Sequence, residues 1–448
     1  MDTMLTETEA NDASAPDGNE LSAAQYIARL RRIFDKYTST RFFAMLNACV
    51  NCGACAEACH YYCSEKDPDH IPANRAKQLE KVIAEYFHPL RSKLGFLKPG
   101  DPLANPKFEK LYKAAFENCT LCGNCALSCP MGINTGDIMY VARALLFGLG
   151  KLPSGLVDPV NTTLETGNYL GLSDEEFIET VEWLAEEMED DMGTNFSIPI
   201  NKANPEVLYI PHPLTLRDLP FLLMDELKIL TAAGEDYTLS THDFDTVNYA
   251  FYQGSKENAY TIANSTLRAR EILNAKCLTL APCGHGYRVL NYEMEKIMGA
   301  RFDFKIYTLV ELIDQYIKDK RLVLEKDRFA GPITFHDPCN IGRRGGVIEE
   351  PRNVIKALTT DFVEMTPSGV HNYCCGGGGG GGLASTGSLG GIRQRMGKIK
   401  AEQIRATGAK IVITGCFNCK NQIRDIGKTY DLDIEVKSIV EVVAGSIM

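Results

Sequence analysis

The chain has 448 residues, 16 of them cysteine, and a formal net charge of -11. That length holds two or more domains, each with its own core, and the negative charge argues against nonspecific nucleic-acid binding, leaving small molecules or proteins as partners. No run approaches 18 apolar residues, so no segment reads as a bilayer span, and the acidic first twenty residues (MDTMLTETEANDASAPDGNE) lack a signal-peptide core. Cysteines in C-x-x-C spacing without such a signal point to metal or redox chemistry in a reducing, cytoplasmic compartment.

In chain order, residues 1–20 read as a disordered tail. From Leu21 the stretch AAQYIARLRRIFDKY places Tyr26, Leu30 and Phe34 on one helical side. It leads into Cys49, Cys52, Cys55 and Cys59 (CVNCGACAEAC), and a second group follows as Cys119, Cys122, Cys125 and Cys129 (CTLCGNCALSC), with Pro130 directly after it. Each group has three cysteines at three-residue steps and a fourth four residues on, the bacterial-type arrangement for two 4Fe-4S clusters. Three thiolates come from one tight turn, closed by small residues such as Gly53 and Gly123, and the fourth belongs to the other cluster. The reading therefore assigns Cys49, Cys52, Cys55 and Cys129 to one cluster, and Cys119, Cys122, Cys125 and Cys59 to the second. His60 stands where proline is usual after a fourth cysteine, and Cys63 is an extra thiol, read as a spectator beside the alternative of a ligand. Between the groups, ANRAKQLEKVIAEYFHPL predicts an inserted helix and GFLKPGDPLANP a loop.

After Pro130, GDIMYVARALLFGLG predicts an apolar helix beside the clusters, and residues 150–171 read as loop. Ser173 with Glu176 predicts a helix cap, followed by an apolar stripe of Phe177, Val181, Leu184 and Met188. The polar stretch from Ile198 to Pro205 suits a domain boundary. Beyond it a faint duplication appears: VLYIPHP (207–213) resembles ITFHDPC (333–339), LTLAPCGHG (278–286) resembles IVITGCFNC (411–419), and FKIYTLVEL (304–312) resembles IEVKSIVEV (434–442). Each copy predicts an α/β layer, with ligands beyond the C-terminal strand ends. Only the second copy has the full set Cys339, Cys374, Cys375, Cys416 and Cys419. Pro213 and Gly286 stand at the first copy's equivalents of Cys339 and Cys419. Cys277 and Cys283 are either core residues or an accessory thiol pair beside the active cluster.

Five thiols exceed the four of an electron-transfer cubane, which leaves two options: an unusual iron, or an iron open to substrate sulfur. Disulfide reduction needs two electrons while cubanes deliver one at a time, and capture of one cleaved sulfur on iron would hold the half-reduced state. The run Gly376–Gly382 offers backbone N–H groups as a nest for sulfide or an anionic cluster. A phosphate loop is excluded, because LASTGSLGGIRQR follows with no Gly-Lys-Ser/Thr. His336 and Asp337 precede Cys339 at a strand end, where a proton donor for a leaving thiol is needed, although His336 equally suits a structural hydrogen bond. His285 is a further candidate to support the thiols from behind. Arg343 and Arg344, and with less support Arg393 and Arg395, either hold an anionic group or are solvated.

The pattern Cys339…Cys374-Cys375-Gly376…Cys416-x-x-Cys419 behind eight cubane ligands resembles the CCG domain of heterodisulfide reductases and the HdrD iron-sulfur subunits. One complete CCG copy most resembles the DsrK type of the sulfite-reduction-associated membrane complex, with its relatives HmeD and TmcB. The resemblance implies an α+β multidomain chain: tail 1–20, a helical ferredoxin-like domain 21–200, a degenerate CCG-like repeat 201–325 and a complete CCG domain 326–448. It implies three 4Fe-4S clusters, two ferredoxin cubanes feeding a special catalytic one at the five CCG cysteines. It further implies a place on the cytoplasmic side of the membrane, bound to a heme b-containing, quinone-interacting membrane subunit and other subunits of the complex. The implied substrate is a disulfide or trisulfide on the sulfur-carrier protein DsrC, reduced or formed in reverse. Alternatives are the coenzyme M–coenzyme B heterodisulfide as substrate, the iron-sulfur subunit of a flavin-dependent glycolate or lactate oxidase, and a non-catalytic electron-transfer subunit.

Overall fold

The computed structural model describes residues 21–88, 99–193, 196–380 and 389–448. The tail expected over residues 1–20, part of the loop expected near residue 95, and Gly381 and Gly382 of the glycine run lie outside the described residues. The chain divides into two compact units, both discontinuous in sequence. The first is Met1–Val157, Tyr249–Asn258 and Tyr373–Ile399; the second is Asp158–Asn248, Ala259–Asn372 and Lys400–Met448. The boundaries drawn on sequence near residues 200 and 325 both fall inside the second unit. One apolar core runs through Phe177, Val181, Tyr209, Leu227, Ile313, Phe335, Ile413 and Val440, so neither point interrupts the packing.

The first unit is helical. Helix α1 (Ala23–Tyr37) opens on a capping box between Ser22 and Gln25 and buries Tyr26, Leu30 and Phe34, the side the spacing predicts. Two one-turn helices, α2 (Ala54–Glu57) and α4 (Asn124–Leu127), follow the two cysteine turns, and α3 (Pro72–Tyr86) is the predicted insert. Helix α5 (Thr135–Gly148) is buried on all sides, as its near-continuous apolar sequence requires. It packs on α1 and α3, and a Cβ at Gly148 would run into the Ile33 side chain. Residues 150–171, read as loop, instead contain helix α6 (Ser154–Thr166). Pro159 inside the helix and the run of Asn and Thr hid it. Leu156, Val160 and Thr163 are nevertheless buried at helical spacing, and burial of that stripe overrides weak local propensity.

In the second unit, α7 (Asp174–Met192) starts on the predicted capping box of Ser173 and Glu176. Strands β1 (Val207–Ile210), β2 (Tyr237–Thr238), β3 (Cys277–Leu280) and β4 (Ile306–Thr308) form a parallel sheet in the order β2-β1-β3-β4. Strands β5 (Ile333–His336), β6 (Ile411–Thr414) and β7 (Glu435–Ser438) form a second parallel sheet in sequence order. Helix α8 (Pro220–Ala232) comes between β1 and β2, α9 (Leu309–Lys318) follows β4, and α10 (Glu349–Leu358) follows β5. Helix α11 (Phe417–Thr429) follows β6, and α12 (Ile439–Ala444) follows β7. Helix α8 packs on α12, and α9 packs on α10. A helix from the front of one sheet thus meets the last helix of the other, in both directions. Helices α9 and α12 begin on the same device, capping boxes of Thr308 with Glu311 and Ser438 with Glu441. Thr414 aligns with both His336 and Ser438, so all three strands of the second sheet end level.

Candidate metal centres

The two cysteine turns of the first unit share one backbone shape. Asn51 and Gly53 have φ of 55° and 81°, and Leu121 and Gly123 have 57° and 79°. A leucine in the left-handed region is uncommon, and the same positive φ at Asn51, the matching place, marks a turn wound the same way in each loop. Cys49, Cys55 and Cys129 wall one cavity of about 30 Å³ together with Met45, Ala73, Ile133 and Ile138. Burial pushes the Cys55 thiol up; the Ala73 N–H and Arg75 oppose this, while Cys129 and Cys49 add to it. Cys52 is exposed. In the other group, burial together with the charges of Cys122, Cys119 and Cys59 pushes Cys125 up to about 12. One neighbourhood therefore gathers Cys49 and Cys55 with Cys129 of the other group, and the other gathers Cys119, Cys122 and Cys125 with Cys59. Crowded thiols that resist losing protons in the bare protein are the donor set that a four-thiolate iron cluster satisfies. The residues fit that group.

Sequence reasoning missed Arg75 on α3. Its guanidinium is buried, donates from Nη2 to Cys59 Sγ at 3.2 Å, and also bonds the Asn118 carbonyl. Burial works against its charge, and Cys59, Cys119 and Cys125 more than offset this, so it holds its proton above the ordinary range. A single arginine in an inserted helix carries no spacing signal, which is why the sequence alone does not single it out.

Cys374 and Cys375 also lie in the first unit. The Cys374 sulfur is 3.5 Å from the Thr120 hydroxyl, inside the second cysteine turn. Ligand atoms of His60, Cys122 and Cys374 all lie within 4.8 Å of one another. The N–H groups of Gly376 and Gly377 donate to the sulfurs of Cys374 and Cys375 at 3.3 and 3.5 Å. Farther along the run, Gly379 has φ of 67°, and a Cβ there would collide with the Thr120 backbone. Arg143 of α5, another buried cation without a sequence signal, clamps this approach. It donates to the carbonyls of Ala115, Cys119, Tyr252 and Gly379. The Cys63 thiol donates to the Glu57 carbonyl at 3.2 Å, and Tyr373 donates to that same carbonyl at 3.1 Å. Arg395 is exposed and pairs with Glu65 at 2.8 Å. Arg393 is half-buried in the same helix.

Cys339, Cys416 and Cys419 are buried in the second unit, beyond the level ends of β5 and β6. Cys416 caps α11, and its sulfur accepts the Gly284 N–H at 3.5 Å. Cys283 lies at this end too. Burial first, and then the nearby Cys416 charge, push its thiol well above the ordinary range. Cys277 sits at the start of β3 and donates to the Glu206 carbonyl, so the two are not a pair. His285 is hydrogen-bonded to Asn418 at 3.0 Å. His336 is 3.2 Å from Asn372 Nδ2 through its own Nδ1, and Asn372 Oδ1 accepts from the buried Lys400 ammonium at 2.7 Å. Asn372 and Lys400 carry no sequence signal toward His336, because they lie 36 and 64 positions beyond it. Two expectations for the groups around the thiols are corrected. Both oxygens of Asp337 accept from Arg352 (2.8 and 3.0 Å) and one accepts from Gly369 N–H, which makes it an ion-pair residue and not a proton donor. Arg343 clasps the carbonyls of Val370 and Asn372. Arg344 is half-buried near Glu293 and Tyr292.

Two domain families match the chain: a 4Fe-4S dicluster domain over residues 45–133 and a cysteine-rich domain, CCG, over residues 333–424. It is 27% identical to the Hdr-like menaquinol oxidoreductase iron-sulfur subunit 2 of Archaeoglobus fulgidus, across 94% of this chain and 83% of that one. The corresponding protein of Archaeoglobus profundus is 26% identical over 91% and 80%. This is an iron-sulfur CCG-domain protein related to the heterodisulfide reductase family. As such it is an Hdr-like iron-sulfur oxidoreductase catalytic subunit with an α+β fold, a dicluster region first and a CCG-type region after it. One subunit of the dihydromethanophenazine:CoB–CoM heterodisulfide reductase of Methanosarcina acetivorans is 24% identical over 89% of this chain and 93% of its own length. Among the described residues, no helix is long and apolar enough to cross a membrane.

Proposed function

We propose that the chain is the electron-transferring iron-sulfur subunit of a quinone-linked, membrane-associated Hdr-like complex. Cys49, Cys52, Cys55 and Cys129 would hold one 4Fe-4S cluster, and Cys59, Cys119, Cys122 and Cys125 the second. The observation that carries this is the exchange of fourth cysteines: Cys129 joins Cys49 and Cys55, while Cys59 joins Cys119, Cys122 and Cys125. Bound clusters of this kind supply one-electron transfer. Around them the protein excludes water from Cys59, Cys119 and Cys125, supplies Arg75 as a buried countercharge, and holds Cys374 beside the second cysteine turn. The quinone link rests on the menaquinol oxidoreductase subunits.

The finer reading gives the five CCG cysteines, Cys339, Cys374, Cys375, Cys416 and Cys419, a third 4Fe-4S cluster at which a disulfide is reduced, with His336 as proton donor. It rests on the motif and on the family match over 333–424. The relatives that name a disulfide name the CoB–CoM heterodisulfide, which supports that substrate class above the DsrC sulfur carrier and the DsrK assignment. A heme b-bearing membrane subunit belongs to the same reading. The run β1-β3-β4 in one sheet beside β5-β6-β7 in the other, their reciprocal helix packing and the matched capping boxes support a duplicated unit whose first copy lacks the full cysteine set.

Anaerobic purification with iron and sulfide analysis is the test. The expected iron content is about twelve per chain with three clusters, falling to about eight in Cys375→Ala with both ferredoxin-type EPR signals retained. The complex should pass electrons from a menaquinol analogue to the clusters, and CoB–CoM heterodisulfide should perturb the EPR of only the signal lost in Cys375→Ala. Fewer than about eight irons, or clusters that menaquinol leaves oxidised, would defeat the proposal.

A further inference from the structure

We infer that Arg75 sets the two ferredoxin clusters apart in potential, raising the second (Cys59, Cys119, Cys122, Cys125) above the first, so that electrons run from the first toward the second. The inference rests on the two-cluster reading above and adds a direction to it.

The geometry is one-sided. Arg75 Nη2 donates to the Cys59 sulfur at 3.2 Å, and its charge acts on Cys59, Cys119 and Cys125. Toward the first group its charge acts on Cys55, and the sulfur it bonds is Cys59 of the second. The group is 3% exposed, so water does not compete for it. A charge pair at an effective dielectric near 20 interacts about fourfold more strongly than in water, and N–H donation to a ligand sulfur further stabilises the more negative, reduced state. Other cations stand nearby: Lys81, Lys110 and Lys113 line a cavity of about 350 Å³ that Arg75 also borders. They are exposed, and salt screens them within about 8 Å. Arg143 is buried as well and acts on Cys119 after Arg75, giving hydrogen bonds to main-chain carbonyls, whereas Arg75 donates to a ligand sulfur and is therefore the leading cation at the second cluster. The second cysteine turn is also the one that touches Cys374 through Thr120, so a higher potential there draws electrons toward the CCG pair.

The test is an EPR-monitored redox titration of the full chain, with each signal assigned by its loss in Cys52→Ser or Cys122→Ser. In Arg75→Gln the ratio of reduced to oxidised second cluster at a fixed poise should fall by about tenfold, about 59 mV for a one-electron couple, while the first cluster moves much less. Arg75→Lys, which keeps the charge and loses the planar fork, should give a smaller fall of the same sign. Lys81→Gln should leave both clusters where they are. If Arg75→Gln does not assemble the second cluster, Arg75→Lys decides: a fall confined to that cluster supports the inference, and an unmoved potential overturns it. Equal movement of both clusters, or an equal effect of Lys81→Gln, also overturns it. Fewer than two four-iron signals in the unaltered protein would overturn the two-cluster function and this inference with it. Two signals with an unmoved second potential would overturn only the role of Arg75.

Discussion

Gly379 and Gly378 are neighbours in one glycine run with opposite requirements. Gly379 lies at φ of 67° against the Thr120 backbone, whereas a Cβ at Gly378 would meet nothing within 4 Å. Gly379→Ala combines left-handed strain with a collision against main chain that cannot rotate away. A cost of about 2–4 kcal/mol in stability is expected, with loss or broadening of the second cluster's EPR signal because the collision falls between Cys119 and Cys122. Gly378→Ala should stay within about 1 kcal/mol. Denaturant melts of both variants check this, and equal effects would mean that the run serves only as flexible chain. On sequence, the glycines are expected to cradle an anion with their N–H groups. Gly376 and Gly377 do point N–H groups at Cys374 and Cys375; Gly379 is there for close approach, a need that only the position of a distant segment reveals.

Among the elements, those with local causes were legible in the sequence. The cap of α7, the stripe of α1 and the two cysteine turns follow from spacing within a dozen residues. Helix α6 was not legible, since Pro159 and its Asn-Thr run argue locally for loop. Nor were the unit boundaries, which depend on segments such as Tyr373–Ile399 joining helices more than two hundred residues earlier. The matched caps give a direct element-scale prediction. Thr308→Ala and Ser438→Ala each remove the side-chain acceptor of a helix N–H, from Val310 and from Val440. Each should cost about 1 kcal/mol, and the two losses should be similar and additive in a denaturant melt, since they cap different helices. The Arg143 clamp on α5 is larger. Arg143→Met leaves four buried carbonyls without this donor, at about 1–3 kcal/mol for each that finds no other partner. A loss of several kcal/mol in the first unit is therefore expected, and a melt shifted by under about 1 kcal/mol would show that other donors take over.

For the whole molecule, the net charge of -11 conceals carboxyls that the fold keeps from ionising easily. In the second unit burial pushes Glu226 up to about 8, and burial likewise takes Asp225, Asp243 and Glu311 up to about 7 each. In the unfolded chain such groups titrate near 4. Between pH 4 and 8 these four carboxyls therefore bind more protons in the folded protein than in the unfolded one, and their contribution to stability falls as pH rises. The contribution is whole below the unfolded pKa and is lost progressively as pH climbs through 7 and 8. This is the reverse of the usual salt-bridged carboxylate, because desolvation and not a cation dominates each site. Glu226 isolates the effect, being fully buried on α8 beside Tyr209. A shift of that size, at about 1.4 kcal/mol per pH unit, predicts that Glu226→Gln stabilises the protein by about 3–5 kcal/mol at pH 8.5 and by only about 1 kcal/mol at pH 5.5. Thermal melts of the two proteins across that range should converge on the acid side and separate on the alkaline side. Parallel curves would show that Glu226 is already ionised in the folded protein and that its carboxylate has found a partner.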